Sequence, residues 1–307
     1  MTMTQVEREA AYKRIIAELG VDTIGTGPGA KPLPPRPGHE PRRGSALAVE
    51  SEIYAGVRMF EYGEIWARPG LDLRTRSFIS IAASAGMRSD ETLYRQINTA
   101  LNVGITPEEV HETLGHVAVY GGIAAWDQAC RVADDLFVVR GVLKAGHGVA
   151  IELKPAMDHD DRAAATKRVM GAMGGGRIGT GPDAPPLKPF MLGAGPDGAL
   201  VDNSPVGMDL AFTSGDFGYG EIWGRTDRLP LRMRSFITMA LLQVMREPDQ
   251  LQYHVNNAIN QGIAHDEVQE ALLQAGLYGG ISGWSMGWNI ARLVFHQQGV
   301  GSFAKAG

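Results

Sequence analysis

Glu112, His116 and Tyr120 stand four residues apart, and the second half of the chain repeats their positions as Glu270, Gln274 and Tyr278. Residues i, i+4 and i+8 share one face of a helix, so an acid, an imidazole and a phenol form a single stripe. A second histidine, His254, follows Leu251 by three residues and precedes Ala258 by four, which puts it on an apolar helix face; its first-half counterpart is Gln96. Each half therefore fills one of two histidine positions, and not the same one. Two carboxylates, Glu64 and Glu221, sit in identical apolar and aromatic settings, "YGEIW", and are followed by Arg68 and Arg225. A carboxylate is seldom buried without a partner, so each is either an acid/base group or half of an ion pair, with Arg68 or Arg76 as the partner of Glu64. His116 has the plainer reading of a surface imidazole beside Glu112, and His254 that of a core histidine bonded to a carbonyl. Arg74 and Arg76 are two residues apart and point to different helix faces, so at most one can share a pocket with Glu64.

The elements that must position these groups read as helices. An opening helix runs from about 5 to 18, and a Gly/Pro-rich stretch from Gly25 to Gly44 then breaks all periodicity. Apolar residues recur at helical intervals over 46–66 and 73–86. Ser89 is the expected N-cap of a helix ending at Gly104. Thr106, Pro107 and two glutamates open the next helix, which Gly121–Gly122 stops before a last one over 123–139. No alternating strand pattern is visible, and the fold class is all-α.

The chain matches itself. "TRSFISIA" returns as "MRSFITMA", "AVYGGIAAW" as "GLYGGISGW", and "IGTGPGA" as "IGTGPDA". This is a head-to-tail duplication, with one domain over 1–150 and a second over 151–307, joined near 145–155. A formal net charge of -5 without a basic block excludes phosphate-tracking nucleic-acid binders. The lone cysteine, Cys130, forms neither an internal disulfide nor a CxxC dithiol. The charged N-terminus is no signal peptide and no apolar run is long enough for a span, so a cytoplasmic protein without membrane contact is expected. The glycine-rich loops follow no strand and lack a phosphate-loop lysine, His111 and His116 are poorly spaced as metal ligands, and no metal is expected.

"YGEIWARPGLDLRTRSFISIAA", "INTALNVGITPEEV" and "GHVAVYGG", present in order in both halves, resemble the carboxymuconolactone decarboxylase family of the alkylhydroperoxidase D-like superfamily. The resemblance covers about 50–139 and 208–297. It implies two tandem helical domains forming a pseudo-dimer, three of which would make a ring as a homo-oligomer. It also implies a cofactor-independent lyase acting on a small anionic lactone or oxo-acid. The redox branch carries a CxxC where this chain reads "RTRSFI", so peroxidase activity is not expected. The decarboxylase branch has both histidines in one copy, a pattern this chain departs from at Gln96 and Gln274. A pocket built within one copy would lack a histidine; a pocket built across the copies would bring His116 and His254 together. On this resemblance Glu64 and Glu221 are the acid/base candidates and His116 and His254 the oxyanion donors or proton shuttles. Arg76 and Arg234 would hold an anionic group, and Tyr120, Tyr278, Gln96 and Gln274 would line the substrate. Isomerase, dehydratase or cyclase chemistry in the same pocket, and a non-catalytic binding role, are the alternatives.

Overall fold

The computed structural model describes residues 3–38, 52–144, 155–188 and 215–301. The expected helical residues 46–51, the loop end at 39–44 and all but the last residue of the join at 145–155 lie outside them. Helix α1 (Gln5–Leu19) begins at a capping box in which the Thr4 hydroxyl and the Glu7 carboxylate each take the other's backbone N–H. After the loop come α2 (Glu52–Arg58), a π-helical segment (Met59–Ile65), α3 (Leu73–Gly86), α4 (Asp90–Asn102), α5 (Pro107–Tyr120) and α6 (Ile123–Val139). The second copy supplies α7 (His159–Met173), a matching π-helical segment (Asp216–Ile222), α8 (Leu231–Met245), α9 (Pro248–Asn260) and α10 (His265–Gln298). The all-helical class holds.

Thr106 caps α5 as expected, with Glu109 completing the box and Pro107 in the first turn. Ser89 occupies the N-cap position of α4 but makes no capping bond; its hydroxyl donates to Thr92 at 2.9 Å instead. Gly280, at φ +70°, breaks α10 where Gly122, at φ +84°, separates α5 from α6, so α10 is two helices joined across the same glycine stop.

Two features escaped the sequence pattern. Thr23–Ile24 pairs antiparallel with Lys31–Pro32, and Arg177 bridges Pro186, where no strand is expected. These pairs are too short to alternate, and asparagine side chains reinforce their few backbone bonds. The Asn102 amide donates to the Leu19, Gly20 and Thr23 carbonyls and accepts from the Gly25 N–H at 2.8 Å. Asn260 does the same for the second glycine loop, accepting from the Gly179 N–H at 2.8 Å. The "GTGP" loops are thus pinned turns. Asn260→Ala is expected to cost about 2–3 kcal/mol, since several loop groups lose their partner together, and a lowered urea midpoint at unchanged slope would show it.

The second feature is the π-helical turn. The Trp66 and Trp223 N–H groups donate to the Glu61 and Gly218 carbonyls, five residues back, at 2.9 Å. Glycine allows the opening helix to press on each turn: a Cβ on Gly63 would lie 2.8 Å from the Arg8 carbonyl oxygen, and one on Gly220 2.6 Å from that of Arg162. Helices α3 and α8 pack on each other at the centre, burying Phe78, Ile79, Phe236 and Ile237 in one apolar cluster that runs through both copies. Around this axis α5 crosses onto α8 and onto the second π-turn, and the first half of α10 crosses onto α3. The crossing matters because it takes the acid–imidazole–phenol stripe of one copy into the other. Among the described residues no helix is long and apolar enough to span a membrane.

Candidate active site across the two copies

Glu112 and His116 on α5 are both buried, and their partners come from the second copy. Arg234 of α8 is fully buried and spends four bonds on protein groups. Its Nε donates to the Leu229 carbonyl at 2.9 Å, one Nη to the Arg225 carbonyl at 2.7 Å and to Glu112 at 2.8 Å, and the other Nη meets His116 Nε2 at 3.1 Å. Arg225 donates to the second oxygen of Glu112 at 2.8 Å. Because a guanidinium can only donate, His116 Nε2 is the acceptor, which leaves the proton on Nδ1, 3.0 Å from the Thr238 hydroxyl. Burial first, then the Arg234 charge and the neighbouring His254 ring, hold the His116 pKa well below the usual imidazole value. The ring is neutral.

One turn further along α5, Tyr120 meets the second histidine. The Trp223 indole N–H donates to the Tyr120 oxygen at 3.0 Å, and the same oxygen lies 3.1 Å from His254 Nε2. The Thr238 hydroxyl is a second donor to this oxygen, so with both acceptor positions filled the phenol O–H donates to His254, whose proton then sits on Nδ1, a buried atom with no hydrogen-bond partner. His254 stacks on Trp223 with ring centroids 5.5 Å apart, and Trp223 meets His116 edge-on at 5.1 Å. Burial pushes His254 down to about 3. His116 and His254 are thus brought together from opposite copies.

The mirror-related site carries amides. Arg76 donates to the Leu71 and Arg68 carbonyls, to Glu270 at 2.8 Å and to Gln274 Oε1 at 3.0 Å, and the Gln274 amide donates to the Ser80 hydroxyl at 3.1 Å. Gln274 therefore reproduces both hydrogen bonds of His116, oxygen for Nε2 and amide N–H for Nδ1–H. This match supports the Nδ1–H tautomer of His116, because an amide has no other arrangement to offer. The Tyr120 bonds are not reproduced: the Trp66 indole N–H and the Gln96 side-chain oxygen are buried without partners.

The family model of the carboxymuconolactone decarboxylase family matches residues 51–135 and 213–292, more than half of the chain. The chain belongs to that family. It is 31% identical over 86 residues to 4-carboxymuconolactone decarboxylase of Acinetobacter baylyi, a match covering 28% of this chain and 64% of that protein. It is 36% identical over 66 residues to nitrosuccinic acid decarboxylase of Metarhizium robertsii, covering 22% and 46%. An uncharacterized 15.0 kDa protein of Paracoccus denitrificans is 30% identical over 78 residues, covering 25% and 58%. In each case the chain spans less than two thirds of the relative's length.

Against this family background the two shared glutamates have specific partners. Glu64 pairs with Arg8 at 3.1 Å and Glu221 with Arg162 at 3.2 Å, so each is tied to the opening helix of its own copy and not to Arg76 or Arg234. Glu221 also accepts the Met157 N–H at 3.0 Å and faces Arg225 at 3.7 Å. Arg68 forms no pair with Glu64; it chelates Glu270 with Nε at 2.8 and 3.0 Å. Arg76 and Arg234, expected to hold a substrate anion, have their donors committed across the copy interface. Arg74, on the other face of α3, pairs with Glu109. His116 is no surface residue. Trp66 and Trp223 are core anchors, whereas Trp284 is 42% exposed.

A cavity of about 900 Å³ opens beside the amide site, lined among others by Phe60, Glu61, Arg68, Ser84, Tyr278 and Trp284. Glu64 does not line it, and Glu61, one helical turn earlier, does. Burial raises the Glu61 pKa, against the pull of Arg58. Its second-copy counterpart is Gly218, so comparing the two "FxYGEIW" stretches for differences, rather than for identities, is the signal that would have found it.

Proposed function

We propose that the protein is a decarboxylase-like lyase acting on a small carboxylated lactone or oxo-acid at the site where His116 and His254 converge. The observation that carries this reading is that convergence: two neutral imidazoles from opposite copies are linked through Tyr120 and Thr238 beside a buried Arg234–Glu112 pair. The names of two relatives, both decarboxylases, support the reaction class.

In such a reaction the carbon–carboxylate bond breaks and its electron pair flows into a conjugated carbonyl, leaving an enolate and carbon dioxide. The unpartnered Nδ1–H of His254 is the donor left free for the developing oxyanion. The carbon regains a proton through the Tyr120–His254 pair, with Thr238 and His116 behind it as the hydrogen-bonded supply. Arg225, 18% exposed at its side chain, is the cation offered to the substrate carboxylate, since it bonds Glu112 through Nε at 2.8 Å while its Nη1 stands 3.7 Å from Glu221 and is the less committed end. Arg234 and Glu112 hold His116 in its tautomer. Glu221 and Glu64 fasten the π-turns to the opening helices. Assembly of three chains into a ring belongs to the same proposal.

The test is turnover on 4-carboxymuconolactone and nitrosuccinate, followed by carbon dioxide release. His254→Gln and Tyr120→Phe are each expected to lower kcat by about 10²–10⁴-fold, the usual range for a lost proton-transfer group. Glu64→Gln is expected to leave it within a few-fold. Unchanged turnover in His254→Gln would remove the assignment.

A further inference from the structure

The duplication left a second site that shares the first one's frame but has different contents. Where the histidine site has Leu242, the amide site has Ser84, fully buried with an oxygen that has no hydrogen-bond partner and lines the cavity. Glycine at 218 becomes Glu61 in the cavity wall. Neither Gln96 nor Gln274 can titrate, so the proton relay of the other site is absent here. The space is not. A cavity near 900 Å³ is at the upper end of the size that takes a drug-sized molecule, and Phe60, Ile65, Leu273, Leu277, Ile281 and Trp284 give it a mainly apolar wall.

The charges around it decide what it would accept. Arg68, the guanidinium that lines the cavity, is held by both oxygens of Glu270, and Arg76 behind it is bonded to the same carboxylate. Arg58, 3.9 Å from Glu61, is shared with Asp22 at 3.6 Å. An incoming anion would find its cations already neutralised and would stand in the same apolar space as the Glu61 carboxyl. A cation would find the carboxylates just as engaged, Glu270 by Arg68 and Arg76 and Glu61 by Arg58. What remains available is hydrogen bonding: the Ser84, Ser89, Thr92 and Tyr278 hydroxyls as donors or acceptors and Glu61 as an acceptor for a ligand O–H. Burial keeps the Tyr278 phenol protonated by pushing its pKa well above the usual value.

We infer that the amide-side cavity is a second binding site, without turnover, for an uncharged and largely apolar molecule bearing a hydroxyl or carbonyl group. It would thus differ in charge class from the anionic substrate proposed for the histidine site. The inference does not depend on that proposal, because it uses none of the same side chains.

Isothermal titration calorimetry with 2-naphthol and 2-naphthoate at neutral pH tests it, the pair having one ring system and opposite charge classes. The expected result is saturable 2-naphthol binding, one per chain, at least about tenfold tighter than 2-naphthoate. Ser84→Ala is expected to weaken 2-naphthol by about three- to tenfold through loss of one hydroxyl. Leu273→Trp fills the cavity and is expected to abolish binding; the Ser84→Ala arm carries the test alone if that variant melts. His254→Gln is expected to leave 2-naphthol affinity unchanged while turnover falls, which separates failure here from failure of the functional reading. No 2-naphthol binding, equal or tighter binding of 2-naphthoate, or wild-type affinity in both cavity variants would overturn the inference. So would loss of affinity in His254→Gln.

Discussion

Glu112→Ala is expected to lower the unfolding free energy by about 3–5 kcal/mol, read as a urea midpoint shift at unchanged slope. The cost arises from what is left behind. Arg234 is fully buried and Arg225 largely so, and both direct donors at the two oxygens of Glu112. Removing the acid strands the Arg234 guanidinium in apolar surroundings, leaves the largely buried Arg225 with only Glu221 at 3.7 Å, and loosens the acceptor geometry of His116 with them. Glu270→Ala in the matching pair should cost less, because Arg68 is 46% exposed at its side chain and can turn to water while Arg76 alone is stranded. For Glu270 itself burial acts to raise the pKa, yet the hydrogen bonds from Arg68 and Arg76 hold it below the ordinary value. Equal losses from the two truncations would show that burial of the second arginine does not set the cost. Replacing Glu112 and Arg234 together by leucine and methionine should recover part of the loss, since no charge then remains unpaired.

The helices, their glycine stops and the duplication were legible because they depend on local rules: periodicity, capping and self-similarity. The α5 stripe of Glu112, His116 and Tyr120 was legible for the same reason, as was the complementary placement of His116 and His254. That a pocket across the copies would join them was one of two arrangements the sequence allowed; which of the two holds was not legible. Whether a stripe faces its own copy or the other depends on how α5 crosses α8, and no residue of α5 encodes that crossing by itself. The π-turns were hidden because one extra residue per turn changes the facing of Glu64 and Glu221 by about 100° while leaving the apolar spacing almost helical. With that rotation the conserved-looking "YGEIW" acids turn to Arg8 and Arg162, and Glu61 takes the cavity wall. Shared residues marked the frame of the duplication. The differences between copies, Gln for His, Ser84 for Leu242 and Glu61 for Gly218, marked where two related sites diverged.

Those differences also make the two histidines separable by pH. Both are neutral when folded, with His254 depressed to about 3 and His116 well below its ordinary value, while unfolded imidazoles titrate near 6.5. Between those limits the unfolded chain binds more protons, so stability rises with pH across this window and is lost as pH falls below about 6.5. Each fully buried ring then contributes a loss of about 1.6 kcal/mol between pH 6.5 and 5, or about 3 kcal/mol for the pair. Other groups shape the profile as well: Glu270, held low, loses stability as pH falls but below the imidazole window, whereas Glu61 and Asp134, both raised chiefly by burial, act in the opposite direction. A difference experiment cancels them. The double variant His116→Gln with His254→Gln installs the amides that Gln274 and Gln96 already place in the matching positions, so it should fold. Its urea-derived stability should change by about 3 kcal/mol less than the wild type between pH 6.5 and 5. Parallel pH profiles for the two proteins would mean that the folded imidazoles titrate as the unfolded ones do, and the buried, permanently neutral relay through Tyr120 would then fail.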